Sequence, residues 1–261
     1  MLTTTQAAAL ADVAPSTIKR WADQGVLPSV RTAGGHRRFD RNALERYLRT
    51  QAGAATGTDP LSLAWVQCLL DGLRHEIDGR LLEARARLGS FACVCDELAL
   101  ALRVMGQQWQ QGQLSIAEEH MASDALGRAL GRMGDALPVR LNGPICLLAC
   151  ANGDEHTLAL SMAELCVREL GWTPLWLGRR TPVAEITRLV SCKQVALVAL
   201  SASTSLDDAK ALKQLADELS AVCQANDVGL VLGGEGAWPR TLAHGVRVNS
   251  FSAFRDYVQS H

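Results

Sequence analysis

Gly153-Asp154-Glu155-His156-Thr157-Leu158-Ala159 is the stretch around which the rest of the chain is organised. It follows the apolar run 145–149, which is typical of a buried strand, and precedes apolar residues at helical spacing. A histidine on such a strand-to-helix loop lies at the carboxyl edge of a parallel sheet, where open α/β folds bind ligands. Asp154 can accept the proton of one ring nitrogen of His156 and thereby raise the basicity of the other. The stretch therefore predicts a lone axial metal ligand.

This stretch resembles the Asp-x-His-x-x-Gly signature of cobalamin-binding domains, whose histidine replaces the nucleotide base beneath cobalt. Asp154 and His156 match the signature, and Ala159 stands where the signature has glycine. The resemblance implies that His156 is the lower axial cobalt ligand, with Asp154 behind it. The alternative interpretation of so short a motif is a histidine that only hydrogen-bonds near a helix start.

The chain after residue 141 alternates between strand-like and helix-like segments, which predicts a flavodoxin- or Rossmann-like parallel sheet covered by helices. The predicted strands are 145–149, 174–177, 194–200, 229–232 and 246–248. The predicted helices are 157–170, 183–190, 207–223 and 252–259.

Two further loops are expected at the ligand edge of this sheet, at 201–205 and 233–236. The resemblance to cobalamin domains implies that Ser201 and Ser203 in one loop, and Gly233 and Gly234 in the other, surround the dimethylbenzimidazole tail of the cofactor. Serine hydroxyls offer hydrogen bonds, and glycine lets the backbone approach a ligand closely. Each loop also fits an ordinary strand-to-helix turn. The glycine loop fits a phosphate or dinucleotide as well, although no Gly-x-Gly-x-x-Gly opens the first helix.

Charge is distributed unevenly along the chain, although the net charge of the 261 residues is only −1. Residues 1–50 carry eight Lys/Arg against four Asp/Glu, and the remainder carries 18 against 23. A basic head on an acidic body predicts that the head binds a polyanion.

The basic head has the pattern of a helix-turn-helix followed by a wing. A short helix is expected over 6–11, a second helix begins at Pro15, and 31–39 form a hairpin that turns at Gly34-Gly35. A last helix is expected from Asp40 through Leu48. These residues resemble the winged helix-turn-helix of the MerR family.

A double-stranded DNA operator is the partner expected for this head, with a purely structural or protein-binding role as the alternative. Arg37 and Arg38 on the wing are expected to neutralise phosphates. Thr17, Lys19 and Arg20 are expected to read base edges or to position the second helix. Two further wing residues complete the predicted DNA-binding set, Arg31 and His36.

A small, polar linker at 51–60 is expected to separate the head from a four-helix bundle over 61–140. The bundle helices are predicted at 61–71, 74–88, 91–111 and 115–135. The predicted domains are therefore a winged helix-turn-helix at 1–56, a helical cap at 61–140 and an α/β domain at 141–261.

One end of the predicted bundle carries a conspicuous set of residues. Ser115 and Glu118 have the spacing of a capping box, so a helix starts there. Ile116, Glu119 and His120 then share one helix face, with Trp109 just across the loop.

The spacing of Trp109, Glu119 and His120 resembles the Trp-x₉-Glu-His motif of light-sensing, adenosylcobalamin-dependent MerR-type repressors of the CarH and LitR family. The resemblance implies that Trp109, Ile116 and Glu119 cover the adenosyl group and that His120 ligates cobalt after illumination. A tryptophan packed on a surface Glu-His pair is the alternative interpretation.

These patterns lead to a cytoplasmic transcriptional repressor rather than an enzyme. The N-terminal stretch has no basic region typical of a secretory signal, and eight cysteines at spacings unlike a zinc site are expected to be reduced. The resemblance implies that adenosylcobalamin promotes homo-oligomerisation and DNA binding in the dark, and that light reverses both. The alternatives are a regulator that senses cobalamin or another tetrapyrrole without light, and a cobalamin-dependent methyl-transfer module.

Overall fold

The computed structural model describes residues 1–11, 13, 15–23, 27, 29–32, 34–41, 44, 60–138, 140 and 142–261, apart from the side chains of Arg20 and Asp23. Residues 51–59 of the predicted linker and most of the predicted helix from Asp40 to Leu48 lie outside these residues. Pro60, predicted to end the linker, instead begins a helix. The chain divides into two compact units, one made of Met1–Asp71 with Leu100–Glu119, the other of Gly72–Ala99 with His120–His261. The division into three sequential domains therefore stays a prediction.

The basic head contains two helices and a small antiparallel sheet. Its strands are β1 (Leu2–Thr3), β2 (Ser29–Arg31) and β3 (Arg37–Phe39), in the order β1-β3-β2, and its helices are α1 (Thr4–Leu10) and α2 (Pro15–Asp23).

The first helix of the head begins two residues earlier than the sequence pattern predicted. Thr3 Oγ1 accepts a hydrogen bond from the backbone N–H of Gln6, and the backbone N–H of Thr3 donates to the side-chain Oε1 of Gln6. This capping box satisfies two N–H groups at the helix start, which explains why the helix includes Thr4. Ile18 and Phe39 are fully buried in the core of the head, and Trp21 packs partly buried against it.

Four helices follow between residues 60 and 136, as the sequence predicted. They are α3 (Pro60–Asp71), α4 (Arg74–Leu88), α5 (Phe91–Gln110) and α6 (Ile116–Ala136). Ser115 receives a bond from the N–H of Glu118 and gives two to the Glu118 carboxylate, so the predicted capping box starts α6.

The C-terminal part of the chain is a five-stranded parallel sheet in the order β5-β4-β6-β7-β8. Its strands are β4 (Ile145–Cys150), β5 (Thr173–Gly178), β6 (Leu197–Ser201), β7 (Gly229–Gly233) and β8 (Val246–Arg247). Its helices are α7 (Leu158–Glu169), α8 (Val183–Ser191), α9 (Ala209–Asn226) and α10 (Phe251–Gln259). The strand order reverses around β4, so the loops after β4 and its neighbours meet at a switch point of the kind where open α/β sheets bind ligands.

Within the second unit, two partly buried carboxylates join α4 and α5 to the sheet domain. Asp96 of α5 accepts bonds from the backbone N–H groups of Phe251 and Ser252 at 2.6 and 3.1 Å, and thus caps α10. Glu169 at the end of α7 accepts from Arg85 of α4 at 2.5 Å. These contacts join helices to the sheet domain through charge-assisted hydrogen bonds. In the part of the chain that the structure describes, no helix is long and apolar enough to cross a membrane.

Candidate functional site

Asp154 and His156 form the centre of the loop that follows β4. The Asp154 side chain is fully buried, whereas the His156 ring is 67% exposed. Asp154 Oδ1 accepts from the backbone N–H of His156 at 3.0 Å and lies 2.9 Å from His156 Nδ1. The structure thus contains the hydrogen bond that the two-residue spacing predicted. This hydrogen bond keeps the proton of the neutral ring on Nδ1. The lone pair is therefore on Nε2, the other ring nitrogen.

Ser203 joins this pair from the loop after β6. Its backbone N–H donates to Asp154 Oδ2 at 2.5 Å, and its hydroxyl lies 3.0 Å from Asp154 Oδ1 and 3.1 Å from His156 Nδ1. Ser205 Oγ lies 2.7 Å from Ser203 Oγ and extends the chain of polar contacts outward. Two strand-to-helix loops are therefore held together at the buried carboxylate. Ser201 is itself buried at the end of β6, beside Gly233 in the sheet register.

The charge on Asp154 is maintained by these donors. Burial by itself raises the pKa of this carboxyl, but hydrogen bonds from the backbone and side chains of His156 and Ser203 outweigh burial, and the net pKa is lowered. Asp154 is consequently a carboxylate at neutral pH. It stabilises an electron-rich imidazole, which is the form that ligates a metal.

Cys150, at the end of β4, does not compete with the imidazole as a ligand. Its thiol donates to the carbonyl oxygen of His156 at 3.5 Å. Burial, together with the charges of Asp154 and Glu155, raises the pKa of the Cys150 thiol to about 11. The thiol is therefore protonated at neutral pH and offers no thiolate.

The glycine loop after β7 lies against Ala202. Gly234 has a φ of +83°, and a Cβ there would come within 2.2 Å of the Ala202 carbonyl oxygen, so only glycine fits. A Cβ at Gly233 would meet nothing closer than 3.7 Å. The protein's own packing therefore does not account for a glycine at 233, and the prediction that Gly233 contacts a cofactor stays a prediction.

The donor set fits a corrinoid, because the ring of such a cofactor supplies most of the metal's ligands and needs few from a protein. Across 60–138 and 142–261, and in the described parts of the head, no group of three or more His, Cys, Asp or Glu is arranged to hold a metal ion. His156 Nε2 has no hydrogen-bond partner among the described residues, and its ring is exposed. The imidazole of His156, oriented by the buried Asp154 carboxylate, would be the side chain that holds the metal of such a cofactor.

The residues predicted to cover the upper face lie around the turn between α5 and α6. The side chain of Trp109 is 46% exposed and that of Ile116 is 62% exposed. Glu119 is partly buried and His120 is exposed on the first turns of α6. Trp109, Ile116 and Glu119 belong to one compact unit and His120 to the other. Their contact with a cofactor stays a prediction.

The predicted DNA-binding residues lie on α2 and on the β2–β3 hairpin. Lys19 is exposed and Thr17 partly buried on α2, while Arg31 and His36 are exposed on the wing. The side chain of Arg20 lies outside the described part of the chain. The Thr32 N–H donates to the His36 carbonyl at 2.8 Å, and Gly35 turns the chain with a φ of +76°.

The two wing arginines are partly buried rather than fully exposed. Arg37 Nη1 donates to the backbone carbonyl of Lys19 at 3.1 Å, and Arg38 Nη1 donates to the carbonyl of Arg37 at 3.1 Å. Arg37 thus links the wing to α2, a contact that the sequence pattern did not predict.

Three further residues of the sheet domain were assigned no role from the sequence. Ser205 extends the Ser203 contacts, and Trp238 and Arg247 bind the glycine loop through hydrogen bonds. Ser205 lay within a predicted ligand loop. Arg247 meets its partners only when β7 and β8 pair, so no local pattern marks it. Trp238 lies five residues from Gly233 within the same loop, and its spacing matches no motif that predicts this hydrogen bond.

Comparisons with known proteins find two domain families along the chain. Residues 1–52 match the family model of a helix-turn-helix domain, and residues 64–133 match that of a B12 binding domain. The chain is 27% identical over 272 residues to the HTH-type transcriptional repressor CarH of Myxococcus xanthus, across 90% of this chain and 88% of that protein. It is 34% identical over 125 residues to the repressor CarA of the same organism, across 47% of this chain and 41% of that protein.

A solved structure shares the fold of the larger part of the chain. The monomethylamine corrinoid protein of Methanosarcina barkeri covers 79% of this chain and 99% of its own, with 15% sequence identity and a TM-score of 0.58. At that identity the similarity shows the fold alone. The two matched family models, together with the similarity to CarH and CarA, support a helix-turn-helix transcriptional regulator that resembles CarH and has a segment similar to B12 binding domains.

Proposed function

We propose that this chain is a cobalamin-dependent transcriptional repressor, and that its ligand is adenosylcobalamin, used as a light sensor. One observation carries the proposal. An exposed imidazole stands on a fully buried carboxylate at the ligand edge of a parallel sheet, in a chain that also has a helix-turn-helix head. The relatives named as repressors support the same assignment.

His156 is the residue proposed to hold cobalt from below. Asp154 keeps Nδ1 of His156 protonated, and Ser203 hydrogen-bonds to the Asp154 carboxylate and contacts the His156 ring. The Nε2 atom of His156 is therefore held in one orientation. Gly233 and Gly234 let the backbone approach the nucleotide tail. Bound adenosylcobalamin supplies a cobalt–carbon bond that visible light breaks.

Trp109, Ile116 and Glu119 are proposed to cover the adenosyl group, and His120 to ligate cobalt after illumination. The exposed indole and aliphatic side chains would otherwise leave apolar surface in water. His120 offers the second imidazole that the lit state requires. None of these residues performs catalysis in the proposal, and the chain is not an enzyme.

The proposed output is binding of an operator by several heads at once. Lys19 on α2 and the wing residues Arg31 and His36 expose polar or cationic groups for duplex DNA. When identical chains assemble in the dark, each further head binds at a high effective concentration, which strengthens binding without a change in any head. Separation of the assembly in light removes that gain.

The decisive experiment combines absorption spectroscopy with sizing of the full chain reconstituted with adenosylcobalamin in darkness. The expected dark spectrum shows the cofactor with its own base displaced, and illumination should change the spectrum and reduce the molecular mass together. His156→Ala should weaken ligation in the dark, and His120→Ala should alter only the lit spectrum. His75→Ala is the matched control, because His75 is exposed on α4, away from both sites in the sequence.

Other outcomes separate the competing functions. Retention of cobalamin with a mass unaffected by light would favour a cobalamin sensor that does not use light. Retention of another tetrapyrrole in place of cobalamin would show that the protein is a transcriptional regulator with a different ligand. Methyl transfer from a bound methylcobalamin to a thiol, without sequence-selective DNA binding, would favour the methyl-transfer module.

A further inference from the structure

The loop 233–238, which follows β7 at the carboxyl edge of the sheet, is held rigidly from one side by Ala202. The Ala202 N–H donates to the Gly233 carbonyl at 3.1 Å, and the Gly236 N–H donates to the Ala202 carbonyl at 2.9 Å. A Cβ at Gly236 would lie 2.6 Å from the Cβ of Ala202, so this side has no spare room. The loop is therefore pressed against the end of β6.

Trp238 and Arg247 hold the same loop from the other side. The buried indole of Trp238 donates from Nε1 to the Gly233 carbonyl at 2.8 Å. Arg247, on the edge strand β8 beside Leu232, donates from Nη1 to the Trp238 carbonyl at 3.0 Å and from Nη2 to the Gly236 carbonyl at 3.4 Å. The planar fork of one guanidinium thus bridges two carbonyl groups of one turn, a geometry that lysine cannot reproduce.

The positive charge of Arg247 is only partly compensated. Among the residues that the structure describes, no carboxylate forms an ion pair with Arg247, and its Nε is enclosed without a hydrogen-bond partner. Carbonyl dipoles stabilise the guanidinium but do not cancel its charge. Because Arg247 is partly buried behind the loop, its charge is screened less than a surface charge, and it acts there beside the exposed carboxylate of Glu235 in the same loop.

We infer that Arg247 is a positioning residue that shapes the loop 233–238 for the nucleotide tail of a corrinoid and makes the site selective for corrinoids that carry this tail. The inference rests on the proposed function, because it takes the loop to be the tail subsite. The tail of cobalamin contains an anionic phosphodiester as well as the base. Cobinamide has the same corrin ring and cobalt but lacks the nucleotide, so it reports on the ring alone.

The test measures the binding of aquocobalamin and of aquocobinamide to the full chain by spectral titration. For Arg247→Gln we expect the affinity for aquocobalamin to fall about tenfold, while the affinity for aquocobinamide changes less than about twofold. The affinity of Arg247→Lys for aquocobalamin should lie between those of wild type and Arg247→Gln, because lysine keeps the positive charge but cannot donate to both carbonyl groups. Arg240→Gln is the matched control, since it removes an exposed positive charge from the same segment.

A second variant guards against loss of folding in the first. Trp238→Phe removes the indole N–H that donates to the Gly233 carbonyl, together with part of the buried ring, and keeps an aromatic side chain in the core. It should also weaken the binding of aquocobalamin more than the binding of aquocobinamide. If folded Arg247→Gln and Trp238→Phe lose affinity equally for both ligands, or lose affinity for neither, the role of Arg247 is overturned. If wild-type protein binds neither ligand, the proposed function fails as well. Binding of both by wild type with unchanged selectivity in the variants overturns this inference alone.

Discussion

Asp154 is the residue on which most of the ligand edge depends. It is fully buried and accepts hydrogen bonds from the backbone N–H groups of His156 and Ser203 and from the side chains of both. A buried charge is tolerated only when its hydrogen-bonding capacity is met, and here the donors come from two separate loops. One carboxylate therefore both orients the imidazole and holds the loops after β4 and β6 together.

The pH dependence of stability follows from the lowered pKa of Asp154. Because the folded-state pKa lies below the unfolded one, the unfolded chain takes up this proton first as the pH falls. The stabilisation is complete above the unfolded pKa of about 3.9 and is lost as the pH falls through the folded pKa.

For Asp154→Asn we expect the free energy of unfolding at pH 7 to fall by about 1.5–3 kcal/mol, the value typical of hydrogen bonds to a charged group. The difference from wild type should shrink as the pH falls below about 4, because wild type then loses the same charge. Denaturant unfolding of the apo-protein across pH measures this difference. Asp207→Asn, at an exposed carboxylate, should change little at any pH, and a difference that is independent of pH would contradict the account.

At the scale of helices and strands, contacts between segments far apart in the sequence determine how these elements are attached to one another. The wing is a local hairpin closed at Gly35, yet Arg37 links it to the carbonyl of Lys19 on α2. In the sheet domain, α10 begins where the Asp96 carboxylate of α5 meets two of its free N–H groups. A helix N-terminus favours a negative charge, so this contact both caps α10 and attaches α5.

The wing contact predicts different roles for two arginines in DNA binding. Arg31 is exposed, so Arg31→Gln should remove one phosphate contact and reduce the slope of log K against log salt by about one. Arg37→Gln should instead weaken binding to all sequences about tenfold or more, because the wing loses its attachment to α2. Salt titrations of operator binding distinguish the two. A change in slope alone for Arg37→Gln would show that its guanidinium acts on phosphate.

The capping contact predicts the effect of removing Asp96. Asp96→Ala leaves the N–H groups of Phe251 and Ser252 without this acceptor and should lower the free energy of unfolding by about 1–3 kcal/mol. Asp124→Ala removes an exposed ion pair with Arg128 and should cost less than about 1 kcal/mol. Chemical denaturation, followed by a spectroscopic signal from the sheet domain, measures the free energy of unfolding of both variants. Equal effects of the two substitutions would contradict a special role for Asp96.

At the scale of the whole molecule, charge separates the chain into a basic head and an acidic remainder. The excess of positive charge in residues 1–50 attracts duplex DNA, and the excess of acidic residues beyond them disfavours wrapping of the remainder on the same duplex. DNA affinity should therefore depend on how many heads act together rather than on the area that one chain covers.

Multivalency gives a prediction for operators with one or two sites. In the dark with adenosylcobalamin, a duplex with two spaced sites should bind at least about 10²-fold more tightly than a duplex with one site. After illumination the ratio should approach one, since a single head binds either duplex alike. Mobility-shift titration measures both ratios. A high ratio that persists in the light would show that assembly does not control DNA binding.

The local elements could be predicted from residues that lie close together along the chain. Helices such as Arg74–Leu88, the capping box at Ser115 and the pairing of Asp154 with His156 depend on residues at most a few positions apart, where periodicity and side-chain reach suffice. Three contacts are visible only in the folded chain: Ser203 completes the Asp154–His156 pair, Arg37 attaches the wing to α2, and Arg247 holds the glycine loop. These contacts join segments brought together by strand pairing and helix packing, and a single sequence carries no local signal of which distant residues will become neighbours.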